Sequence, residues 1–361
     1  MPPIADIDCP KDWQRTADGV AREGGVTVVL GGVDTGKSTL CRYVAHCCVT
    51  QGRTTAILDA DLGQSWIGPP TTIGFALVEG GAAAEAGLDP AGMWFVGATS
   101  PRGHMLQTAV GVRRMSDAAR RAGADATIVD TSGWIDGPAA RALKEAKIAL
   151  LRPRHIIGIQ TEDEVRHLIA PHQHREGVSV HTVRTSRRVR PRDMERRRQH
   201  REAQLRDYFG GGQELALPLD RVALLGTSLL SGTTAPAHVR SYAEELLGVE
   251  CFHAEMMGER LVLVCEHYPG PGAIGAVREQ FPDEEVAVLP LRPIRGTLAG
   301  LSDAREELLG LGIVADVDFG AKELRVVTPV PAADEVAAVT MGTLRLQRDF
   351  TELGPAEVRW P

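Results

Sequence analysis

A glycine-rich stretch at residues 31–38 leaves this chain few folds to adopt. It reads Gly-Gly-Val-Asp-Thr-Gly-Lys-Ser and satisfies the pattern G-x-x-x-x-G-K-S/T in full. The apolar run 26–30 before it predicts a buried strand, and the residues from about 37 to 51 predict a helix. A strand, a glycine loop and a helix in this order predict a phosphate-binding loop that holds a nucleoside triphosphate.

The residue types of this loop explain its chemistry. Glycines let the backbone curl around phosphate oxygens, Lys37 reaches the β- and γ-phosphates, and the Ser38 hydroxyl ligates Mg²⁺. We therefore expect ATP and Mg²⁺ as cofactors, with GTP left open. The predicted nucleotide-binding residues are Gly31, Gly32, Val33, Asp34, Thr35, Gly36, Lys37, Ser38 and Thr39.

Two observations narrow the class of nucleotide-binding protein. Gly32 occupies the position at which one branch of dimerising ATPases carries a second, signature lysine. No NKxD-like guanine-reading motif follows the later strands, which weighs against translation-type GTPases. A kinase is therefore favoured if the chain also carries an apparatus for binding an acceptor.

Strand and helix patterns alternate after the loop. A helix is predicted from about 104 to 122, and further strands are predicted at 54–58, 94–96, 126–129 and 155–159. This alternation predicts an α/β fold, a P-loop NTPase parallel sheet with helices on both faces. In such sheets ligands bind at the carboxyl ends of the strands, where the polar turns of this chain cluster.

The C-terminal part has a different pattern. Strands are predicted at 261–264, 285–289, 312–317 and 323–328, after a triple glycine at 210–212. We therefore predict three parts. They are a polar lead-in over 1–24, a P-loop kinase domain over 25–212 with an Arg-rich lid at about 184–209, and a smaller, mainly β C-terminal domain over 213–361.

The basic residues are unevenly distributed. Of 40 basic residues in the 361-residue chain only five are Lys, and ten Arg lie between Arg184 and Arg206 beside three acidic residues. That segment carries +7, so the rest of the chain carries −14 and the whole chain −7. A protein that coats nucleic acid along its length is excluded, whereas a local anion-binding device is not.

Membrane and secreted classes are disfavoured. No run of apolar residues approaches the 18 or so that a membrane span needs. The N-terminus lacks the basic and apolar regions of a signal peptide, and the six Cys show no CxxC spacing. We expect a cytoplasmic protein with reduced thiols and no membrane partner.

Acidic residues follow two predicted strands. Asp61, in the segment 59–64, suits a base that takes a proton from an attacking hydroxyl, or an outer ligand of Mg²⁺; turn capping is the alternative for it and for Asp59. Asp130 ends another predicted strand, at the usual position of a carboxylate that binds a water molecule of Mg²⁺. Trp134, four residues later, could stack on a base, with core packing as its alternative.

Hydroxyl and guanidinium groups complete the candidate site. The segment Thr99-Ser-Pro-Arg102 offers a phosphate or sugar clamp, or simple turn chemistry. Residues 194–209 have helical propensity, and Arg197 and Arg201 are i,i+4 neighbours. Phosphoryl-transfer enzymes neutralise developing charge with cationic lids, for which the planar fork of Arg is suited. A solvated basic helix is the alternative.

Five segments together resemble the Clp1/Grc3/NOL9 family of polynucleotide 5'-hydroxyl kinases, in the short form of its prokaryotic members. The family's pattern is a Walker A loop, an E/D-x-D-x-G-Q strand end, a T-S-P clasp, an N-T-x-G-W segment and an Arg-rich lid before Y-F. This chain has corresponding segments in the same order, at 31–38, 59–64, 99–102, 130–134 and 197–209. Similar C-terminal segments extend the resemblance from about 25 to 345.

The resemblance implies a role for each matching residue. Lys37 and Ser38 would hold ATP and Mg²⁺, and Asp61 would be the general base on the 5'-hydroxyl. The implied catalytic residues are Lys37, Asp61, Arg197, Arg198 and Arg201, and the implied metal-site residues are Ser38, Asp61 and Asp130. The implied substrate-binding residues are Gln64, Thr99, Ser100, Arg102, Thr131 and Trp134.

The chain departs from the family pattern in two respects. Asp130 stands where the family usually has Asn, so the charge beside the metal differs. About 24 residues precede the first predicted strand, so we expect the N-terminal β domain of the eukaryotic members to be absent. That domain helps to hold adenine, which leaves the choice between ATP and GTP open.

The resemblance implies an enzyme, an ATP-dependent polynucleotide 5'-hydroxyl kinase that phosphorylates the 5'-hydroxyl ends of RNA, DNA or both. Two alternatives remain. One is an ATP-binding, non-catalytic scaffold of an RNA-processing complex, and the other is a P-loop kinase or GTPase acting on a small molecule. No motif reports a 2'-hydroxyl contact, so RNA and DNA are not distinguished. Protein partners, and the choice between nucleic acid repair and RNA processing, are also left open.

Overall fold

A computed structural model describes residues 7–78, 88–186, 188 and 193–355. The chain divides into two compact units, one ending at Leu205 and the other beginning at Arg206. The helices that begin in the first unit are α1 Lys11–Glu23, α2 Lys37–Thr50, α3 Met105–Arg121, α4 Pro138–Leu151, α5 Arg166–Ile169 and α6 Met194–Phe209, with a 3-10 helix at Ala170–His172. Its strands are β1 Gly25–Gly31, β2 Thr55–Ala60, β3 Thr72–Val78, β4 Gly92–Phe95, β5 Ala126–Thr131, β6 His155–Gln160 and β7 Ser179–Arg184.

The strands of the first unit form one sheet in the order β4-β3-β2-β5-β1-β6-β7. The pairs between β2, β5, β1, β6 and β7 are parallel, as predicted. β3 is the exception, because it pairs antiparallel with both β2 and β4. Residues 61–71 between β2 and β3 form turns instead of a crossover helix, so the chain returns in the opposite direction. The sheet is therefore mixed, with parallel pairs dominating.

Apolar side chains cover both faces of this sheet. On one face, Trp13 of α1 and Leu40 of α2 are buried in a cluster with sheet residues. On the other face, Val112 of α3 and Ile148 of α4 are buried in a second cluster. The prediction of helices on both faces is confirmed.

The predicted lead-in over 1–24 contains a packed helix. Trp13, Ala17 and Val20 of α1 are fully buried, at the i, i+4, i+7 spacing of one helix face. The indole Nε1 of Trp13 donates a hydrogen bond to the carbonyl oxygen of Arg184 at 2.8 Å. The predicted polar lead-in thus contains, in its described residues, a helix whose apolar spacing the polar composition concealed.

The boundary between the units lies inside α6 and not after residue 212. The backbone N–H of Leu311 donates a hydrogen bond to the Tyr208 hydroxyl oxygen at 2.8 Å. Phe209 stacks on Phe350 with ring centroids 5.9 Å apart. These partners lie far along the chain, so the local glycine run could not reveal that the end of α6 belongs to the second unit.

The second unit contains the helices α7 Ala237–Leu247 and α8 Pro271–Gln280 and a 3-10 helix at Ala333–Glu335. Its strands are β8 Gln213–Pro218, β9 Ala223–Leu225, β10 Thr233–Thr234, β11 Cys251–Met257, β12 Arg260–Cys265, β13 Glu285–Pro290, β14 Thr297–Ser302, β15 Leu308–Asp318, β16 Glu323–Thr328, β17 Ala338–Leu346 and β18 Glu352–Pro355. One sheet has the order β10-β11-β12-β13, and the other has the order β18-β17-β14-β15-β16-β8 with β9 beside β17. The four strands predicted here coincide with β12, β13, β15 and β16.

None of the helices formed by the described residues is long and apolar enough to cross a membrane.

Candidate active site

The phosphate-binding loop joins the end of β1 to the start of α2. Gly36 has a φ of 92°, in the left-handed region that favours glycine. A Cβ on Gly31 would lie 2.6 Å from Oγ1 of Thr35, so a larger residue could not occupy this turn without a shift. Nζ of Lys37 donates a hydrogen bond to the carbonyl oxygen of Gly32 at 2.6 Å. The lysine ammonium therefore lies within the curl of the loop.

A cavity of about 860 Å³ opens beside this loop. Its wall combines segments that follow β1, β2, β4 and β5 with the first turns of α6. The predicted site residues in this wall are Val33, Asp34, Thr35, Gly36, Lys37, Ser38, Thr39, Asp61, Gln64, Thr99, Ser100, Arg102, Trp134, Arg197 and Arg201. The fold thus gathers most of the predicted residues at the carboxyl ends of parallel strands.

Two acidic residues at the end of β2 have different environments. Asp59 is fully buried, and its oxygens accept hydrogen bonds from the backbone N–H of Asp61 at 3.0 Å and of Trp66 at 2.7 Å. Asp61 lines the cavity, and its Oδ1 accepts from the backbone N–H groups of Gly63 at 3.1 Å and Gln64 at 3.2 Å. Asp59 therefore organises the turn, whereas Asp61 both caps the turn and presents a carboxylate to the cavity.

Asp130 lies beside Asp59, because the two are register partners in β5 and β2. Burial raises the pKa of Asp59 well above its usual range, and the charge of Asp130 raises it further. Burial also raises the pKa of Asp130, against the opposing influence of Lys37 and the Ser38 hydroxyl. Oδ2 of Asp130 accepts from Nε1 of Trp66 at 3.3 Å, whereas Oδ1 has no hydrogen-bond partner among the described residues.

These residues fit a magnesium ion that arrives with a nucleotide. Mg²⁺ prefers oxygen ligands, keeps several waters, and uses one or two carboxylates together with substrate phosphates. The Ser38 side chain lines the cavity, and Oδ1 of the buried Asp130 is a further oxygen of the kind that Mg²⁺ uses. In the part of the chain that the structure describes, no group of three or more His, Cys, Asp and Glu could hold a metal by itself. A magnesium ion here would therefore depend on the phosphates.

The predicted clasp and the predicted stacking residue form one surface. The guanidinium carbon of Arg102 lies 5.1 Å from the centre of the Trp134 ring, a cation–π contact. The Ser100 hydroxyl oxygen accepts a hydrogen bond from the backbone N–H of Arg102 at 3.3 Å. Thr99 and Ser100 also line the cavity. A cation, two hydroxyls and an aromatic ring thus lie within one part of the wall.

Helix α6 brings two of the three predicted lid arginines to the cavity. Nη2 of Arg197 donates to Oδ2 of Asp34 at 2.7 Å, which joins the helix to the phosphate loop. Arg201 lines the cavity one turn further along, as its i,i+4 spacing requires. Arg198 does not line the cavity, and its Nη2 forms an ion pair with Glu195 at 3.0 Å. The structure therefore separates Arg198 from Arg197 and Arg201, the other two predicted lid residues.

Thr131 also lies apart from the cavity wall. Its side chain is fully buried, and its hydroxyl donates to the carbonyl oxygen of Val29 at 2.8 Å. The same hydroxyl accepts a hydrogen bond from Nζ of Lys144 at 2.9 Å. Thr131 therefore connects β5 to β1 and α4 inside the protein. This position corrects the prediction that its side chain contacts substrate.

The cavity wall also contains residues that were not predicted as site residues, among them Trp66, Asp136 and His200. His200 stands three residues after Arg197, so the helical repeat could have placed it on the cavity face. Trp66 is held by hydrogen bonds to two aspartates of different strands, which no local pattern shows. Asp136 lies in a loop, and no spacing distinguishes it from other acidic residues.

Comparisons of the sequence and of the fold with known proteins agree on one family. Residues 31–211 match the family model described as mRNA cleavage and polyadenylation factor CLP1 P-loop. A polyribonucleotide 5'-hydroxyl-kinase of Thermococcus kodakarensis is 30% identical over 96% of this chain and 96% of its own. One of Pyrococcus furiosus is 29% identical over 91% of this chain and 89% of its own. The solved Clp1p–Pcf11p complex shares the fold, with a TM-score of 0.58 and 14% identity over 92% of this chain and 77% of that one. The resemblance seen in the motifs is thus confirmed, and the chain belongs to the CLP1 family.

Proposed function

We propose that this protein is an ATP-dependent polynucleotide 5'-hydroxyl kinase. The observation that carries the proposal is a single cavity that joins the phosphate loop, the Asp61 carboxylate, the Arg102–Trp134 surface and two lid arginines. Its relatives from Pyrococcus and Thermococcus are named polyribonucleotide 5'-hydroxyl-kinases, which supports the same reaction. A nucleotide site alone would suit many proteins, whereas a phosphate donor site beside an acceptor surface favours a kinase.

The reaction follows from the positions of these groups. The 5'-hydroxyl oxygen attacks the γ-phosphorus of ATP, the bond to the β–γ bridging oxygen breaks, and ADP leaves. The hydroxyl proton passes to Asp61, whose Oδ2 is the oxygen not used by the turn. Lys37 and Mg²⁺, held by Ser38 and Asp130, would balance the charge on the phosphates.

The acceptor end would bind to the clasp surface. Thr99, Ser100 and Arg102 would grip the terminal phosphodiester, and Trp134 would stack on the first base. Gln64 lines the same cavity and would support the 5'-hydroxyl. Because Arg102 already lies on the Trp134 ring, a bound phosphate would be held by a guanidinium whose position is set by the indole.

The proposal predicts transfer of the γ-phosphate to nucleic acid ends. Labelled ATP or GTP should phosphorylate 5'-hydroxyl oligonucleotides but not 5'-phosphorylated controls, with RNA and DNA tested as single and double strands. Because phosphate contacts hold the end, binding should weaken as salt rises. Preferential labelling of free nucleosides would support a small-molecule kinase. Tight ATP binding without transfer in a single turnover would support a scaffold.

A second prediction concerns the lid. Arg197→Ala should lower kcat by about 10²-fold to 10³-fold, the usual cost of losing one preorganised donor, because its guanidinium would neutralise charge on the transferred phosphoryl group. Arg198→Ala is the matched control, since Arg198 is its neighbour on α6 but pairs with Glu195 outside the cavity wall. Steady-state kinetics on a 5'-hydroxyl oligonucleotide measures both. Equal losses in the two variants would contradict the assignment of Arg197 to the phosphates.

A further inference from the structure

Helix α4 buries two lysines that no part of the proposed reaction uses. Lys144 is 1% exposed and Lys147 is 0% exposed, in a chain with only five lysines. Neither side chain lines the cavity. Burying an amino group is costly unless it is hydrogen-bonded, so two such groups on one helix call for a physical reason.

The contacts of Lys144 supply that reason. Its Nζ donates to Oγ1 of Thr131 at 2.9 Å and to the carbonyl oxygen of Ser132 at 2.6 Å. Thr131 in turn donates to the carbonyl oxygen of Val29 in β1. Lys144 therefore ties α4 to the end of β5, and through Thr131 to the strand that leads into the phosphate loop.

The segment held by Lys144 forms part of the cavity wall. Ser132, Gly133 and Trp134 all line the cavity. A Cβ on Gly133 would lie 2.7 Å from the Cα of Val33, so the backbone of this segment packs directly on the phosphate loop. Residues 132–134 thus pack on the phosphate loop through Gly133, and their Ser132 carbonyl oxygen accepts a hydrogen bond from the Lys144 amine.

We propose that Lys144 is a positioning residue that sets the separation between the phosphate loop and Trp134, and so between the phosphate donor and the acceptor end. The inference rests on the proposed kinase function. Phosphoryl transfer requires the reacting atoms to be held near 3 Å and in line, so a displacement of about 1 Å is costly in rate. The hydrogen bonds from Lys144 to Thr131 and to the Ser132 carbonyl oxygen prevent such a displacement of residues 132–134.

Lys147 is a matched control within the same helix. Its Nζ has no hydrogen-bond partner among the described residues. Burial lowers the pKa of Lys147 to about 8, and burial lowers the pKa of Lys144 well below its usual range. The charges of Asp61 and Asp130 act on both lysines. Either substitution therefore removes one buried amino group from α4, and only the Lys144 substitution also removes the two hydrogen bonds to Thr131 and Ser132.

The test compares Lys144→Met with Lys147→Met. We expect Lys144→Met to lower kcat on a 5'-hydroxyl oligonucleotide at least about 10-fold below Lys147→Met. Binding of ATP, measured directly without turnover, should be equal in the two variants. Oligonucleotides that differ only in their first base should be discriminated less by Lys144→Met than by wild type, because the Trp134 ring is displaced.

Three results distinguish a positioning role of Lys144 from a merely structural role. Thr131→Val should reproduce part of the kcat loss, because it removes one of the two acceptors of Lys144. Equal kcat in the two lysine variants would overturn the inference. So would a kcat loss in Lys144→Met that is fully accounted for by a lower folded fraction in thermal unfolding. If wild type itself fails to phosphorylate any oligonucleotide, the proposed function fails instead.

Discussion

Replacing Lys37 with alanine is expected to lower kcat for oligonucleotide phosphorylation by about 10³-fold or more. Lys37 lies in the curl of the phosphate loop and is only 7% exposed. Its ammonium is the nearest fixed cation of the loop to the position of the β- and γ-phosphates. Charge that develops on the transferred group would then lack its main protein partner.

The controls for this variant separate catalysis from folding. Lys322→Ala removes an exposed lysine of the second unit and should leave kcat unchanged. Among the described residues the Lys37 ammonium makes one hydrogen bond, to the Gly32 carbonyl oxygen, so its loss should change the melting temperature little. Labelled-ATP transfer under single-turnover conditions measures the step directly. Turnover by Lys37→Ala close to that of Lys322→Ala would contradict the role of the loop in transfer.

Replacing Asp61 with asparagine is expected to lower kcat by about 10²-fold to 10⁴-fold, the usual contribution of a general base. The asparagine amide oxygen can still accept the hydrogen bonds from Gly63 and Gln64 that cap the turn. The variant therefore removes the proton acceptor while keeping the local structure.

Alanine at the same position gives the complementary measurement. Asp61→Ala should lose activity to a similar degree and should also lose about 1 kcal/mol of stability, because two backbone N–H groups lose their acceptor. Urea unfolding of the three proteins measures this difference. If Asp61→Asn retains full activity while Asp61→Ala is merely unstable, Asp61 is a turn cap and another group accepts the proton.

Much of the site could be predicted because its parts are local. The phosphate loop, the Asp59–Gln64 turn, the clasp at 99–102 and the segment 130–134 each occupy a few consecutive residues after a strand. Parallel strands bring their carboxyl ends to one edge of the sheet. The residues that follow these strands therefore form most of the cavity wall. Helical spacing likewise identified Arg197 and Arg201 as neighbours.

Other features depended on contacts between distant residues. Asp59 and Asp61 look alike in the sequence, yet one is buried against Asp130 and the other faces the cavity. The reversal of β3 and the packed helix α1 were also missed. In each case the deciding partner lies in another element, whose position no local pattern reports.

The sequence by itself determined the nucleotide loop, the α/β class of the first unit and the family motifs, because backbone conformation and strand burial depend on neighbouring residues. The tertiary structure alone decided which carboxylate faces the cavity and which lid arginines reach it. It also brought Nζ of Lys144 within hydrogen-bond distance of Thr131 Oγ1 and the Ser132 carbonyl oxygen. The physical reason is that burial, and the partner of each polar group, are properties of the packed structure, in which residues far apart in the chain become neighbours.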